Sequence, residues 1–172
     1  MITLRPANPS DIPAALNICS EARSFQRACG NIQWADGYPS EDVITRDVLA
    51  RKGYIAELDG LPAGYCVIDT DGDVEYDRAS RLWHTNEPYV AVHRLAIADF
   101  ARGKRLSVSI LVEVERIIRP LGFRVIKVDT GLKNTPMHRL LASLGFSERG
   151  SYTFPWGPRL AYEKIIGPNL PE

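Results

Sequence analysis

Tyr89-Val90-Ala91-Val92-His93-Arg94-Leu95-Ala96-Ile97, followed shortly by Arg102-Gly103-Lys104-Arg105-Leu106-Ser107 and a further apolar run to Glu115, decides how this chain folds. From Val90 to Ile97 the residues are almost continuously apolar, the pattern of a strand buried on both faces and therefore central in an α/β sheet. Its exit carries three cations, Arg102, Lys104 and Arg105, where a helix begins. A helix N-terminus already holds about half a positive charge and unpaired N–H groups, so cations gathered there call for an anion. A phosphate-bearing ligand is the natural one, and ligands of open α/β sheets collect at strand ends.

Working outward, Ile2 to Arg5 forms a first strand, and Pro9-Ser10-Asp11 starts a helix with Ile12, Leu16 and Cys19 at helical spacing, closed by Gly30. Ser40 opens a second helix with Glu41 and Asp42 in its first turn. Tyr54 to Leu58 and Ala63 to Ile68 flank Asp59-Gly60, a hairpin signal. Residues 71–88 are polar and irregular and predict no regular element. Beyond the central strand, a helix runs from about Lys104 to Arg119 and stops at Pro120. Phe123 to Asp129 is a strand, and Thr135 caps a helix with Pro136 at its first position and Met137, Leu140, Leu141 and Leu144 on one face. Phe146 to Phe154 and Arg159 to Ile166 finish as antiparallel strands. The fold class is α/β in the mixed-sheet, α+β sense: a single domain over residues 1–172, with a central mixed sheet and helices on both faces.

Composition narrows the function. Of 172 residues 45% are hydrophobic, enough for one core, and 21 basic residues balance 21 acidic ones. No global field favours nucleic acid or an anionic membrane, so neither is an expected partner and any anion binding is local. Cys19, Cys29 and Cys66 lack disulfide or metal spacing, and no metal is expected. No apolar run approaches the roughly 18 to 20 residues of a membrane span, and the chain opens on a strand instead of a signal peptide, so a cytoplasmic location is expected.

The element order, the Arg102 to Ser107 loop, and a second segment, Asp129-Thr130-Gly131-Leu132-Lys133-Asn134-Thr135-Pro136-Met137 with Leu144-Gly145-Phe146, together resemble the GNAT superfamily of acetyl-CoA-dependent N-acetyltransferases over nearly the whole chain. The resemblance implies that Arg102, Gly103, Lys104, Arg105, Leu106 and Ser107 cradle the pyrophosphate of coenzyme A. It also implies that Leu95, Ala96 and Ile97 hold the pantetheine through their backbone, helped by Asn134 and the neighbouring Met137. Arg105 departs from the glycine usual in that loop; turned outward it can pair with a phosphate, turned inward it obstructs one. Gln33-Trp34-Ala35-Asp36-Gly37-Tyr38-Pro39 resembles a bacterial subgroup in which this connection borders the acceptor site, so Trp34 and Tyr38, with Trp83 and Trp156, are candidate acceptor contacts.

The implied reaction is direct acetyl transfer from acetyl-CoA, without a metal, to a primary amine of a small molecule, amino acid or peptide. An amine that arrives as ammonium needs a general base. His93 is the first candidate, a titratable side chain inside an apolar strand with an ordinary pKa near 6.5; Glu87, Tyr89 and His138 are rivals. Many relatives carry an acidic tyrosine seven residues after the motif asparagine, where this chain has Leu141, leaving Tyr152, Tyr162 or water to protonate the departing sulfur. Arg105 and Leu141 together keep open a catalytically weak acyl-CoA-binding sensor of the same fold. The sequence leaves the oligomeric state open, with an exposed final strand as one way to support a homodimer.

Overall fold

The structure, a computed structural model, describes residues 1–167; the last five residues of the expected domain lie outside the described residues. Seven strands, β1 (Ile2–Pro6), β2 (Gly53–Leu58), β3 (Leu61–Asp69), β4 (Tyr89–Ile97), β5 (Val125–Gly131), β6 (Ser147–Phe154) and β7 (Gly157–Ile165), form one sheet in the order β1-β2-β3-β4-β5-β7-β6. Only β4 and β5 run parallel; every other neighbour pair is antiparallel. Five helices accompany them: α1 (Ile12–Ala28), α2 (Glu41–Leu49), α3 (Val74–Arg78), α4 (Leu106–Ile118) and α5 (Thr135–Ser143).

Side chains of a strand alternate between faces, and here the alternation feeds two cores. Ala56, Cys66, Val90 and Val92 pack with Ile110 and Val114 of α4 and Leu141 of α5. On the opposite face Ile55, Tyr65 and Val67 meet Ala15 and Ile18 of α1 and Ile44 and Val48 of α2. Each fully buried aliphatic side chain contributes roughly 1.5–3 kcal/mol, so the sheet is clamped from both sides. The β2–β3 hairpin turns through Asp59 (φ 53°) and Gly60 (φ 81°), both left-handed as its two-residue turn requires.

Several expectations shift. Residues 71–88 hold α3, started by Asp73, whose carboxylate accepts from the Glu75 and Tyr76 amides at 2.8 and 3.4 Å. Tyr76 is fully buried and, with Trp83, Tyr89 and Phe154, forms a third core, which makes sense of aromatics in an otherwise polar stretch. Asn134, not Thr135, caps α5, moving Pro136 to the second helical position. The last strand, β7, lies inside the sheet between β5 and β6, so the free edges are β1 and β6 and the final strand offers no edge to a second copy. Among the described residues no helix is long and apolar enough to cross a membrane.

Candidate active site

The site starts from a failure of pairing. Parallel register between β4 and β5 covers only Tyr89 to Ala91 against Val125 to Lys127, after which β4 follows β3 and β5 follows β7. Opposite the splay, β4 bulges: Tyr65 pairs with Ala96 and Val67 with His93, leaving Arg94 and Leu95 without register partners. Arg94 takes φ 52° there. Its guanidinium grips Asp47 through both oxygens at 2.8 and 2.7 Å and donates to the Tyr38 hydroxyl at 2.9 Å, while Tyr65 donates to Asp47 at 3.0 Å. A forked, half-buried ion pair therefore holds the bulge from the α2 side.

Two cavities open along this splay, and both are lined by Gln26, Leu95, Asn134 and Met137, so they meet at the bulge. The first, about 290 Å³, lies over the start of α4 and is walled by Ala96, Ile97, Leu140 and the loop residues Arg102, Gly103, Arg105, Leu106 and Ser107. No side chain caps α4, so its first-turn amides have no side-chain acceptor. Arg105 is the N-cap at φ 60°, the left-handed geometry that explains why glycine suits this position, and its side chain is exposed. Arg102 instead pairs with Asp99 and lies over the Phe25 ring at 4.2 Å. Free amides, cations and an apolar wall suit a phosphorylated ligand with an apolar arm.

The second cavity, about 460 Å³, carries His93, Asp69, Asp73 and Asp129 with the aromatic side chains of Trp34, Tyr38 and Trp156. His93 Nε2 lies 3.3 Å from Asp73 Oδ2. Asp129 accepts from the Tyr76 hydroxyl at 2.7 Å and from Trp156 Nε1 at 3.4 Å, with Arg159 Nε at 3.5 Å. Burial first, then the Asp129 charge, push the Tyr76 phenol well up, so it stays a donor. A strap from α1 bridges the splay: Gln33 Oε1 accepts from Gly131 N–H at 2.8 Å, Asn31 Nδ2 at 3.2 Å, Thr130 Oγ1 at 3.3 Å and Asn134 Nδ2 at 3.4 Å. Asn134 also caps α5 and donates to Thr130, so it organises the junction as well as lining it.

Five expected site residues are not brought to either cavity. Glu87 is exposed on the loop before β4, its amide turned onto Thr85. Tyr89 is buried; its hydroxyl accepts from the Asp73 amide and donates to Asp77, and burial above all pushes its pKa up. His138 has both ring nitrogens engaged, Nδ1 with the Tyr162 hydroxyl at 2.6 Å and Nε2 with the Gly131 carbonyl at 3.0 Å, so neither has a free lone pair for a ligand. Trp83 is a core side chain that donates to the Tyr76 carbonyl and lies under the Lys127 ammonium. Lys104 is exposed and turned toward Phe100. Leu141 is fully buried beneath α5, and neither Tyr152 nor Tyr162 lines the cleft.

Sequence reasoning missed Gln33, Asp73, Asp129 and Arg159. Asp73 had one usable signal, since Asp is a favoured N-cap residue and stands three residues before an aromatic in a polar run. Gln33 lay in the Gln33 to Pro39 connection singled out for acceptor contact, but nothing marked its side chain as the strap across the splay; Arg159, 7% exposed and donating to the Gln33 carbonyl 126 positions away, had no signal.

Comparison with known proteins meets this geometry. The family model described as the acetyltransferase (GNAT) family matches residues 20–146. A search of curated proteins found no match. Among solved structures, a GNAT-family acetyltransferase from Streptococcus agalactiae 2603 is similar at 29% identity and a TM-score of 0.85, covering 97% of this chain and 96% of that one. One from Listeria monocytogenes 4b F2365 is 20% identical at 0.75, covering 96% and 95%. The PaiA N-acetyltransferase of Thermoplasma acidophilum, solved in complex with coenzyme A, is 13% identical at 0.73, covering 96% and 99%.

Proposed function

The chain belongs to the acetyltransferase (GNAT) family, and on that premise we propose that it is an acetyl-CoA-dependent N-acetyltransferase acting on a primary amine of a small molecule, amino acid or peptide. The observation that carries this reading is the meeting of two chemically different cavities at Leu95, Asn134 and Met137. One is cationic and ends on the uncapped α4; the other holds a histidine among carboxylates and aromatics. Arg102, Gly103, Arg105, Ser107 and the α4 amides would hold the pyrophosphate, and Leu95 to Ile97 with Asn134 and Met137 the pantetheine arm. Bound there, acetyl-CoA supplies an activated thioester.

The remaining chemistry belongs to the chain. Trp34, Tyr38 and Trp156 enclose the acceptor, excluding water from its amine. His93 accepts a proton from the ammonium, a step worth typically 10²–10⁴-fold. The backbone at Leu95, freed by the bulge from the β3 register, is the donor placed to polarise a carbonyl. Among the described residues neither Tyr152 nor Tyr162 lines the cleft to serve as an acid for the leaving sulfur, and a thiol pKa near 8.5 makes one dispensable.

Acetyl-CoA at about 100 times its Kd should stabilise the protein by about 2.7 kcal/mol; no rise in melting temperature would remove the cofactor assignment. Free-thiol release with a panel of amines tests turnover. His93→Ala should lower kcat by 10²-fold or more while leaving that stabilisation intact. Buried Leu141, where relatives carry an acidic tyrosine, favours the sensor as a second reading, and binding without thiol release across the panel would select it.

A further inference from the structure

Asp73 is fixed from three sides. Its Oδ1 accepts the Glu75 and Tyr76 amides at the start of α3, and its own N–H donates to the Tyr89 hydroxyl at 2.8 Å. The carboxylate cannot swing, and its other oxygen, Oδ2, is presented to His93 Nε2 at 3.3 Å. The imidazole packs against the fully buried Tyr76 ring, centroids 5.7 Å apart. Among the described residues His93 Nδ1 has no protein partner, and the residue lines the larger cavity.

We propose that Asp73 is the positioning residue of the reaction, holding the proton of neutral His93 on Nε2 so that Nδ1 presents the lone pair to the acceptor amine. This rests on His93 acting as the base. In the step assigned to it, the ammonium N–H bond breaks, its electron pair stays on the amine nitrogen and the proton bonds to Nδ1. The imidazolium so formed is matched by the Asp73 carboxylate. The other charged groups lining that cavity are already engaged: Asp69 on β3 with Lys52 at 2.8 Å, Asp129 on β5 with Arg159, and Arg94 on β4 with Asp47. Burial works to raise the Asp73 carboxyl, but the His93 ring and the two amides outweigh it and hold it below the usual carboxylate range, so it remains ionised at neutral pH.

Asp73→Asn is the informative variant, because asparagine caps a helix as well as aspartate does. Its amide would donate to His93 Nε2 and drive the proton to Nδ1, the wrong nitrogen. With melting temperature and acetyl-CoA KM near wild type, kcat should fall 10- to 1000-fold. The acid limb of the kcat/KM profile should move to lower pH, because the imidazolium loses its counter-charge. Asp73→Ser, also a cap but without an amide donor, should show the same shift of the limb with a smaller loss of kcat. Long-range ¹H–¹⁵N spectra of the histidines in the whole protein report the tautomer independently: wild type should carry the proton on Nε2. An Nδ1-protonated wild type, or wild-type kcat and acid limb in both variants while His93→Ala is inactive, would overturn the positioning role and leave the base assignment standing. A fully active His93→Ala would instead overturn the base assignment beneath it.

Discussion

Arg105 sits at φ 60°, ψ 21° at the head of α4, where a Cβ costs about 1 kcal/mol that glycine avoids. The side chain is exposed and lines the phosphate-suited cavity, so its charge is what it can offer a ligand there. Arg105→Gly should leave unfolding free energy unchanged or raise it by up to about 1 kcal/mol, while weakening coenzyme A about 2- to 5-fold at low salt, the scale of one exposed ion pair. In 0.5 M salt the difference should close; tighter binding by the variant at any salt would mean that the arginine obstructs the loop. Single residues were legible in the sequence where they broke a pattern: a histidine in an apolar strand, cations at a helix start. Asp73 broke none, because the strand it serves begins 16 positions later and only the tyrosine and histidine across the fold reveal its role. Arg94 lies inside the strand read as buried, and its partner Asp47, 47 positions earlier on α2, left no mark in the sequence.

The bulge of β4 is the element on which the site depends, and its anchor lies on another element. Asp47 of α2 takes both donors of Arg94 and the Tyr65 hydroxyl. Asp47→Ala leaves a half-buried guanidinium without its counter-charge and should cost about 3–5 kcal/mol, read as a lower urea midpoint at unchanged m-value. Activity should fall further than stability accounts for in the surviving folded fraction, since Arg94 and Leu95 lose the geometry that separates them from the β3 ladder. A loss below about 1 kcal/mol would show that packing alone holds the bulge. Strands, the long helices and the two-sided sheet were readable because periodicity and capping are local. The splay, the bulge and α3 were not: a bulge is a mismatch between two strands far apart in sequence, and α3 is five residues held by one cap and one buried tyrosine.

Across the whole molecule, the buried ionisable groups set where the fold gives way with pH. Cys19 and Cys66 lie in opposite cores, and burial pushes each thiol up to about 12. Burial is also the leading cause of the raised phenols of Tyr54, Tyr65, Tyr76, Tyr89 and Tyr162. For every one of these the folded pKa exceeds the unfolded value, so the unfolded chain releases its proton first and stability falls as pH rises. The thiol contribution is complete below the unfolded value of about 8.5 and is lost from there toward pH 12, at roughly 1.4 kcal/mol per unit for each thiol. Above about pH 10 the phenols steepen the loss. On the acid side the Arg5 hydrogen bond lowers Asp11, and His93 with two amides lowers Asp73 against burial, so their stabilisation persists until pH drops through the ordinary carboxylate range near 4. Urea unfolding between pH 5 and 10.5 should therefore give a plateau through pH 8 and a decline of about 2–3 kcal/mol per unit above pH 9. Replacing Cys66 by alanine lowers the plateau by creating a cavity, but it should also remove about half of the slope between pH 9 and 10, because one of the two thiols no longer ionises on unfolding. An unchanged slope in that variant would show that the alkaline limb does not come from the buried thiols.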